Sequence, residues 1–166
     1  MDIFNGRFSG AIEGDFVVFL IGARINKLSR AFRFLPIARA MTRMQNELLA
    51  NKSLGCMHIE NWFGRNPLSL QYWQSFEHLE TYSRNSNLEH LPAWAAFNKE
   101  VRDDGEIGIW HETYIIRNGE YEAIYGNMHR FGLAAAGTHG DLATGSTAAL
   151  RSMQKTEDKA LSLIHI

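Results

Sequence analysis

The run Ile107-Gly-Ile-Trp-His-Glu-Thr-Tyr-Ile-Ile-Arg117 constrains the fold more than any other segment of this chain. It alternates at the two-residue period of a strand, yet both faces are bulky. One face carries Ile109, His111, Thr113 and Ile115; the other carries Trp110, Glu112, Tyr114 and Ile116. A strand with one solvated face would show one plainly polar row. Such a sheet needs a cover on each side. His111 sits in an otherwise apolar row, and Glu112 lies between two large aromatics. Polar groups in such places cost free energy unless they find partners, so they are the first candidates for chemistry.

The segment Asp15 to Ile25 repeats the pattern, with Phe16, Val18 and Leu20 on one side and Val17, Phe19 and Ile21 on the other. Asn26 to Leu35 reads as a loop with a helical turn. Pro36 suits the first turn of a helix, in which Ile37, Met41, Met44, Leu48 and Leu49 recur at helical spacing. Asn51 and Gly55 end it. Cys56 to Phe63 and Leu68 to Trp73 read as strands joined by the turn Gly64-Arg-Asn-Pro67. Ser75 is placed to cap a helix with Phe76, Leu79 and Tyr82 on its inner face. Pro92 opens another helical piece, with Trp94, Phe97 and Val101 inward. The strand 107–117 follows. Asn118-Gly119 then predicts a tight turn and a short returning strand over Glu120 to Tyr125.

The order βαββαβ predicts an α+β, ferredoxin-like domain over residues 1–130, with an antiparallel sheet and its helices on one face. No remaining element covers the opposite face, so a second copy of the sheet is expected there. That gives a two-fold homodimer of the dimeric α/β-barrel type. Residues 131–166 shift to Gly, Ala, Ser and Thr and read as a flexible tail. The last six, Leu161–Ile166, translate back to a string resembling a sequencing adapter, so no chemistry is taken from His165.

Bulk properties narrow the function. The chain has 166 residues, 45% of them hydrophobic and 21% charged, which suits one packed domain. A net charge of −1 gives no electrostatic case for nucleic acid. The single cysteine, Cys56, excludes a disulfide framework and reads as a small buried strand residue. The apolar run Phe16 to Ala23 is far shorter than the roughly 18 residues a spanning helix needs. With no signal-peptide pattern at the N-terminus, a cytoplasmic protein is expected. Arg24, Lys27, Arg30 and Arg33 read as a solvated loop.

Five segments together resemble a known family. They are Gly14 to Asn26 (GDFVVFLIGARIN), Gln71 to Glu80 (QYWQSFEHLE), His90 to Asn98 (HLPAWAAFN), Gly108 to Tyr114 (GIWHETY) and Tyr121 to Met128 (YEAIYGNM). The chain resembles, over roughly Asp2 to Gly137, the monooxygenase-like family named after a polyketide monooxygenase of fumagillin biosynthesis. The resemblance implies a ferredoxin-like dimer with a pocket between sheet and helices. Related scaffolds include cofactor-independent antibiotic-biosynthesis monooxygenases, haem-degrading oxygenases and haem-dependent aldoxime dehydratases. One departure is His129, where the family usually has a proline after Asn-Met.

On that resemblance, His111 is the candidate base, with Asn61 or Tyr114 stabilising an anion. Tyr125 is a further proton donor to weigh. Trp62, Trp73, Trp94 and Trp110 offer walls for a flat hydrophobic substrate, and Tyr72 a polar contact to it. Each has a plainer reading: core or interface packing for the aromatics, and a satisfied buried histidine for His111. His58 is expected on an edge strand away from His111; His78 and His90 read as capping or solvated. No metal site is expected, because no HExxH, His-x-x-x-His pair or acidic cluster is present. There is no phosphate-binding glycine loop and no nucleophile elbow. Three functions follow. The first is a cofactor-independent monooxygenase acting on a hydrophobic or aromatic small molecule. The second is a haem protein using His111 or His129 as ligand. The third is a non-catalytic small-molecule-binding dimer module.

Overall fold

The computed structural model describes residues 2–89 and 104–141. Trp94, His90 and the helix expected from Pro92 lie outside the described residues, as does the tail from 142 onward. The strands are β1 (Phe4–Ala11), β2 (Phe16–Ile25), β3 (Cys56–Trp62), β4 (Leu68–Trp73), β5 (Ile107–Ile116), β6 (Ile124–Met128) and β7 (Thr138–Asp141). The two long helices are α1 (Leu35–Ala50) and α2 (Phe76–Arg84). The chain forms two compact units, one spanning Val17–Ile115 and one built from both chain ends, Met1–Phe16 and Ile116–Ile166.

The first unit holds a four-stranded sheet in the order β3-β4-β2-β5, the ferredoxin-like arrangement. β4 pairs antiparallel with both neighbours, with Val17 opposite Trp73 and Ile59 opposite Gln71. Helix α1 carries Pro36 in its first turn and buries Ile37, Ala40, Met44 and Leu48 at helical spacing. Leu49, expected on the same stripe, is 47% exposed. Ser75 caps α2, its hydroxyl accepting from the His78 amide at 3.2 Å. Gly55 has φ of +89°, and a Cβ there would lie 2.5 Å from the His78 ring. That turn therefore requires glycine on two counts.

Both helices pack on one face of the sheet. Their shared core is Val17, Leu48, Cys56, Trp73, Leu79 and Tyr82. Burying each large apolar side chain contributes roughly 1.5–3 kcal/mol. The cationic cluster is solvated as expected at Arg24, Lys27 and Arg30, and it is ion-paired as well. Arg33 bonds Asp104 at 2.9 Å and also Glu106, while Lys27 and Arg30 reach Glu106 at 3.4 and 3.7 Å. These contacts, with the Asn26 side chain on the Gly105 carbonyl at 3.0 Å, fix the start of β5 beside the end of β2. Arg33 holds the Asp104 and Glu106 carboxyls below the ordinary carboxylate range by hydrogen bonding to them.

The second unit is a three-stranded sheet in the order β6-β1-β7. β1 was not expected from the sequence, whose N-terminus reads as scattered apolar residues. The returning strand falls at Ile124–Met128 and pairs with β1. Asn127 takes a positive φ of 52° and accepts from the Gly6 amide at 2.9 Å, beside the register shift between Phe4 and Arg7. This left-handed residue, not a proline turn, shapes the chain just before His129.

The boundary expected at residue 130 is not where the structure changes. Within the stretch expected to be flexible, Leu133–Ala136 form a helical turn and β7 pairs with β1. A Cβ on Gly10 would lie 2.7 Å from the Ala134 backbone, and one on Gly137 would lie 2.1 Å from the Ala11 carbonyl. The small residues there permit close packing, which composition alone cannot distinguish from a linker.

Candidate functional site

Between the sheet and the two helices lies a chamber of about 350 Å³. Its size falls in the range of small-molecule sites. The sheet supplies Phe19, Gln71, Trp73, His111 and Thr113; the helices supply Met44, Leu48, Phe76 and Leu79. The inward row of β5 is thus the row that contains His111. β5 is an edge strand, so the ring sits at the chamber mouth and remains exposed in the single chain. Phe19 lies 5.8 Å away, tilted by 42°. Among the described residues His111 makes no hydrogen bond, so neither ring nitrogen is committed to a partner.

Trp73 forms part of the floor. It is 1% exposed, and its indole N–H donates to Gln71 Oε1 at 3.0 Å. Tyr82 donates to Glu47 at 2.9 Å. Burial first, then that bond, pushes its phenol well above the ordinary tyrosine range. At the rim Arg84 and Glu80 pair at 2.7 Å.

A smaller cavity of about 140 Å³ lies against the same sheet face, lined by Ile37, Ala38, Gln45, Asn61, Trp62 and Ser69 among others. Ile21 and Met41 line both spaces. Asn61 is bonded to Gln45 by a reciprocal amide pair at 2.9 and 3.0 Å.

The proposed catalytic trio is therefore not assembled. His111 opens on the larger chamber, and Asn61 stands at the smaller one, on the other edge strand. Tyr114 belongs to the outward row of β5, exposed, with its hydroxyl donating to Glu112 at 2.5 Å. That bond raises its phenol above the ordinary range. Strand alternation explains this placement: residues three apart on one strand face opposite sides. By the same rule Tyr72 and Trp110 face away from the chamber. Trp110 lies against Gly22, where a Cβ would come within 2.7 Å of the indole. Trp62 lines the smaller cavity.

His58 lies on β3, hydrogen-bonded to Glu60 at 2.8 Å. Tyr125 and His129 belong to the other unit. Tyr125 stacks on Phe8 at 4.9 Å, and His129 meets Phe131 edge-on at 5.8 Å. His139, on β7, packs 4.3 Å from both Phe4 and Phe8, with its Nε2 buried and without a hydrogen bond among the described residues. Cys56 is 1% exposed, and burial pushes its thiol up to about 11, so it is no nucleophile at neutral pH.

The lining does not match a haem. His111 is the one imidazole among the described residues of the chamber, but haem also brings two anionic propionates. The chamber's described cation, Arg84, is already engaged by Glu80. Among the described residues no three His, Cys, Asp or Glu side chains converge on a point that could hold a metal. No described helix is long and apolar enough to cross a membrane.

Sequence reasoning missed Gln71, Met41 and Gln45. The signal for Gln45 was present: it is a polar residue inside the apolar stripe of α1, four positions after Met41. For Gln71 the strand period was the signal, since it puts Gln71 on the same face as Trp73 two residues on.

Comparison with known proteins gives three findings. The family model described as monooxygenase af470-like matches residues 16–133. Monooxygenase af470 of Aspergillus fumigatus is 30% identical over 134 residues, covering 75% of this chain and 46% of that protein. The chain thus spans about half the length of this curated relative. Among solved structures, an aldoxime dehydratase superposes with a TM-score of 0.59 at 17% identity, covering 82% of this chain and 44% of that one. That likeness concerns the fold.

Proposed function

The chain belongs to the monooxygenase af470-like family, and from that premise we propose that it is a cofactor-independent monooxygenase acting on a hydrophobic, enolisable aromatic molecule. One observation carries the reading: the chamber between sheet and helices has apolar walls and an imidazole at its mouth whose nitrogens bond no described residue. His111 is the base. It takes the phenol or enol proton of a substrate lying on Trp73 and Phe19. The resulting carbanion passes one electron to dioxygen, and recombination forms a carbon–oxygen bond as a hydroperoxide. Loss of water across the C–H and O–O bonds leaves a carbonyl. A methylene group and one dioxygen become a carbonyl and water, so no external reductant is needed. The walls exclude bulk water from the anion.

The reading includes a two-fold homodimer. Its support is the outward row of β5, where Trp110 and Tyr114 remain 40% and 48% exposed. Single exposed aromatics are ordinary, but a row of them on a sheet face suits a partner.

The test is oxygen uptake with anthrone as substrate. His111→Ala is expected to lower the rate by at least about tenfold, the conservative side of what a general base contributes. Equal uptake by variant and parent refutes the assignment of the base. Saturable anthrone binding without any uptake by the parent would make the chain a binding module.

A further inference from the structure

The smaller cavity ends in a polar cluster that the proposed chemistry does not use. Gln45 Nε2 donates to Asn61 Oδ1 at 2.9 Å and to Ser69 Oγ at 3.1 Å, and Asn61 Nδ2 donates back at 3.0 Å. Both hydrogens of the Gln45 amide are thereby used. One Asn61 N–H and the Ser69 hydroxyl proton keep no acceptor among the described residues, and both amide oxygens keep a second lone pair. All three groups are uncharged, and the described lining of this cavity contains no ionisable side chain. The remaining walls are apolar, with Ile37, Trp62 and Phe34 prominent.

Met41 and Ile21 separate this space from the His111 chamber while lining both. Met41 has an unbranched thioether side chain, which yields to shape more readily than a branched one. We propose that the two cavities are one bipartite site for an elongated substrate with an uncharged polar end. The reacting ring system occupies the larger chamber, a flexible segment passes Met41, and an amide, ketone or hydroxyl terminus meets Asn61 and Ser69. A carboxylate terminus is disfavoured, because the described lining offers no cation to receive it. The inference rests on reading the larger chamber as the substrate site.

The test uses fluorescence titration of the full chain with three probes: α-naphthol, α-naphthol carrying an alkyl tail that ends in a carboxamide, and the same compound ending in a carboxylate. The amide-tailed probe is expected to bind about five- to tenfold tighter than naphthol, the worth of one or two net hydrogen bonds. The carboxylate-tailed probe gains nothing. Gln45→Leu removes the amide that holds Asn61 and Ser69 in register, and Ala38→Phe fills the smaller cavity while leaving all three polar groups intact. Each is expected to bring the tailed amide down to the naphthol level with naphthol affinity unchanged. Thermal melts confirm that both variants fold, and Ala38→Phe alone decides the matter if Gln45→Leu does not. Unchanged affinity for the tailed amide in Ala38→Phe, or equal binding of the carboxylate, overturns the inference and leaves the reading of the larger chamber standing. Failure of naphthol itself to bind the parent overturns both.

Discussion

The chamber floor depends on a pair of buried side chains whose coupling can be measured. Gln71 is 4% exposed and Trp73 is 1% exposed, and the indole N–H donates to Gln71 Oε1 at 3.0 Å. Gln71→Leu removes the acceptor while keeping most of the volume. The indole nitrogen is then buried without a partner, at a cost of about 1–3 kcal/mol. Trp73→Phe removes the donor, strands the glutamine oxygen and opens a void, so it costs about 3–5 kcal/mol at most, by analogy with large-to-small core changes. The double variant loses the stranded-group penalty that each single change carries. It should therefore be more stable than the sum of the two by about 1 kcal/mol or more. For a chain of this length each kcal/mol moves the melting temperature by about 2–4 °C. Urea unfolding of all four proteins, read by circular dichroism, gives the coupling directly. A cycle that closes additively, within about 0.3 kcal/mol, refutes the argument that this bond satisfies the floor of the chamber.

Two further outcomes are expected. Burial raises the Cys56 thiol from 9.0 to about 11 in the folded state, so its contribution is fully present below pH 9 and is lost as pH rises through about 11. Between pH 8 and pH 10.5 the parent should lose about 2 kcal/mol more stability than Cys56→Ala; equal losses in urea melts at the two pH values contradict the buried-thiol account. Tyr82 acts in the same direction in both proteins, and because Cys56 is the smallest of the influences that raise its phenol, most of its contribution cancels in the comparison. The dimer is read by light scattering at micromolar concentration: a two-chain mass is expected, shifting toward one chain in Trp110→Glu. A parent that runs as a monodisperse monomer removes the dimer from the reading.

Much of the fold could be read from local pattern. The two-sided strands 15–25 and 107–117, the helix opened by Pro36 and the cap at Ser75 are each dictated by spacing within a dozen residues. The βαββαβ order then leaves few topologies, and β3-β4-β2-β5 is the one found. The ends of the chain were not legible. β1 has Asn5, Gly6 and Arg7 in its first half and shows no clean alternation. Its place is secured by partners more than a hundred residues away, such as the Tyr121 hydroxyl, which meets both the amide and the carbonyl of Ile12 at 2.9 Å.

The candidate site divides along the same line. That His111 shares a face with Thr113, and not with Tyr114, follows from the strand period and needs no coordinates. By itself the amino-acid sequence determined the elements from β2 to β5, their order, the family and the face on which the imidazole stands, because these rest on local periodicity and on long matching segments. Tertiary structure alone decided that Asn61 answers to Gln45, that Met41 stands between two cavities and that the Ala-rich stretch at 133–136 packs against β1. Each of those is a contact between residues that the sequence keeps apart or whose direction it leaves open, and only the closing of the chain around its core brings such groups within hydrogen-bonding or van der Waals range.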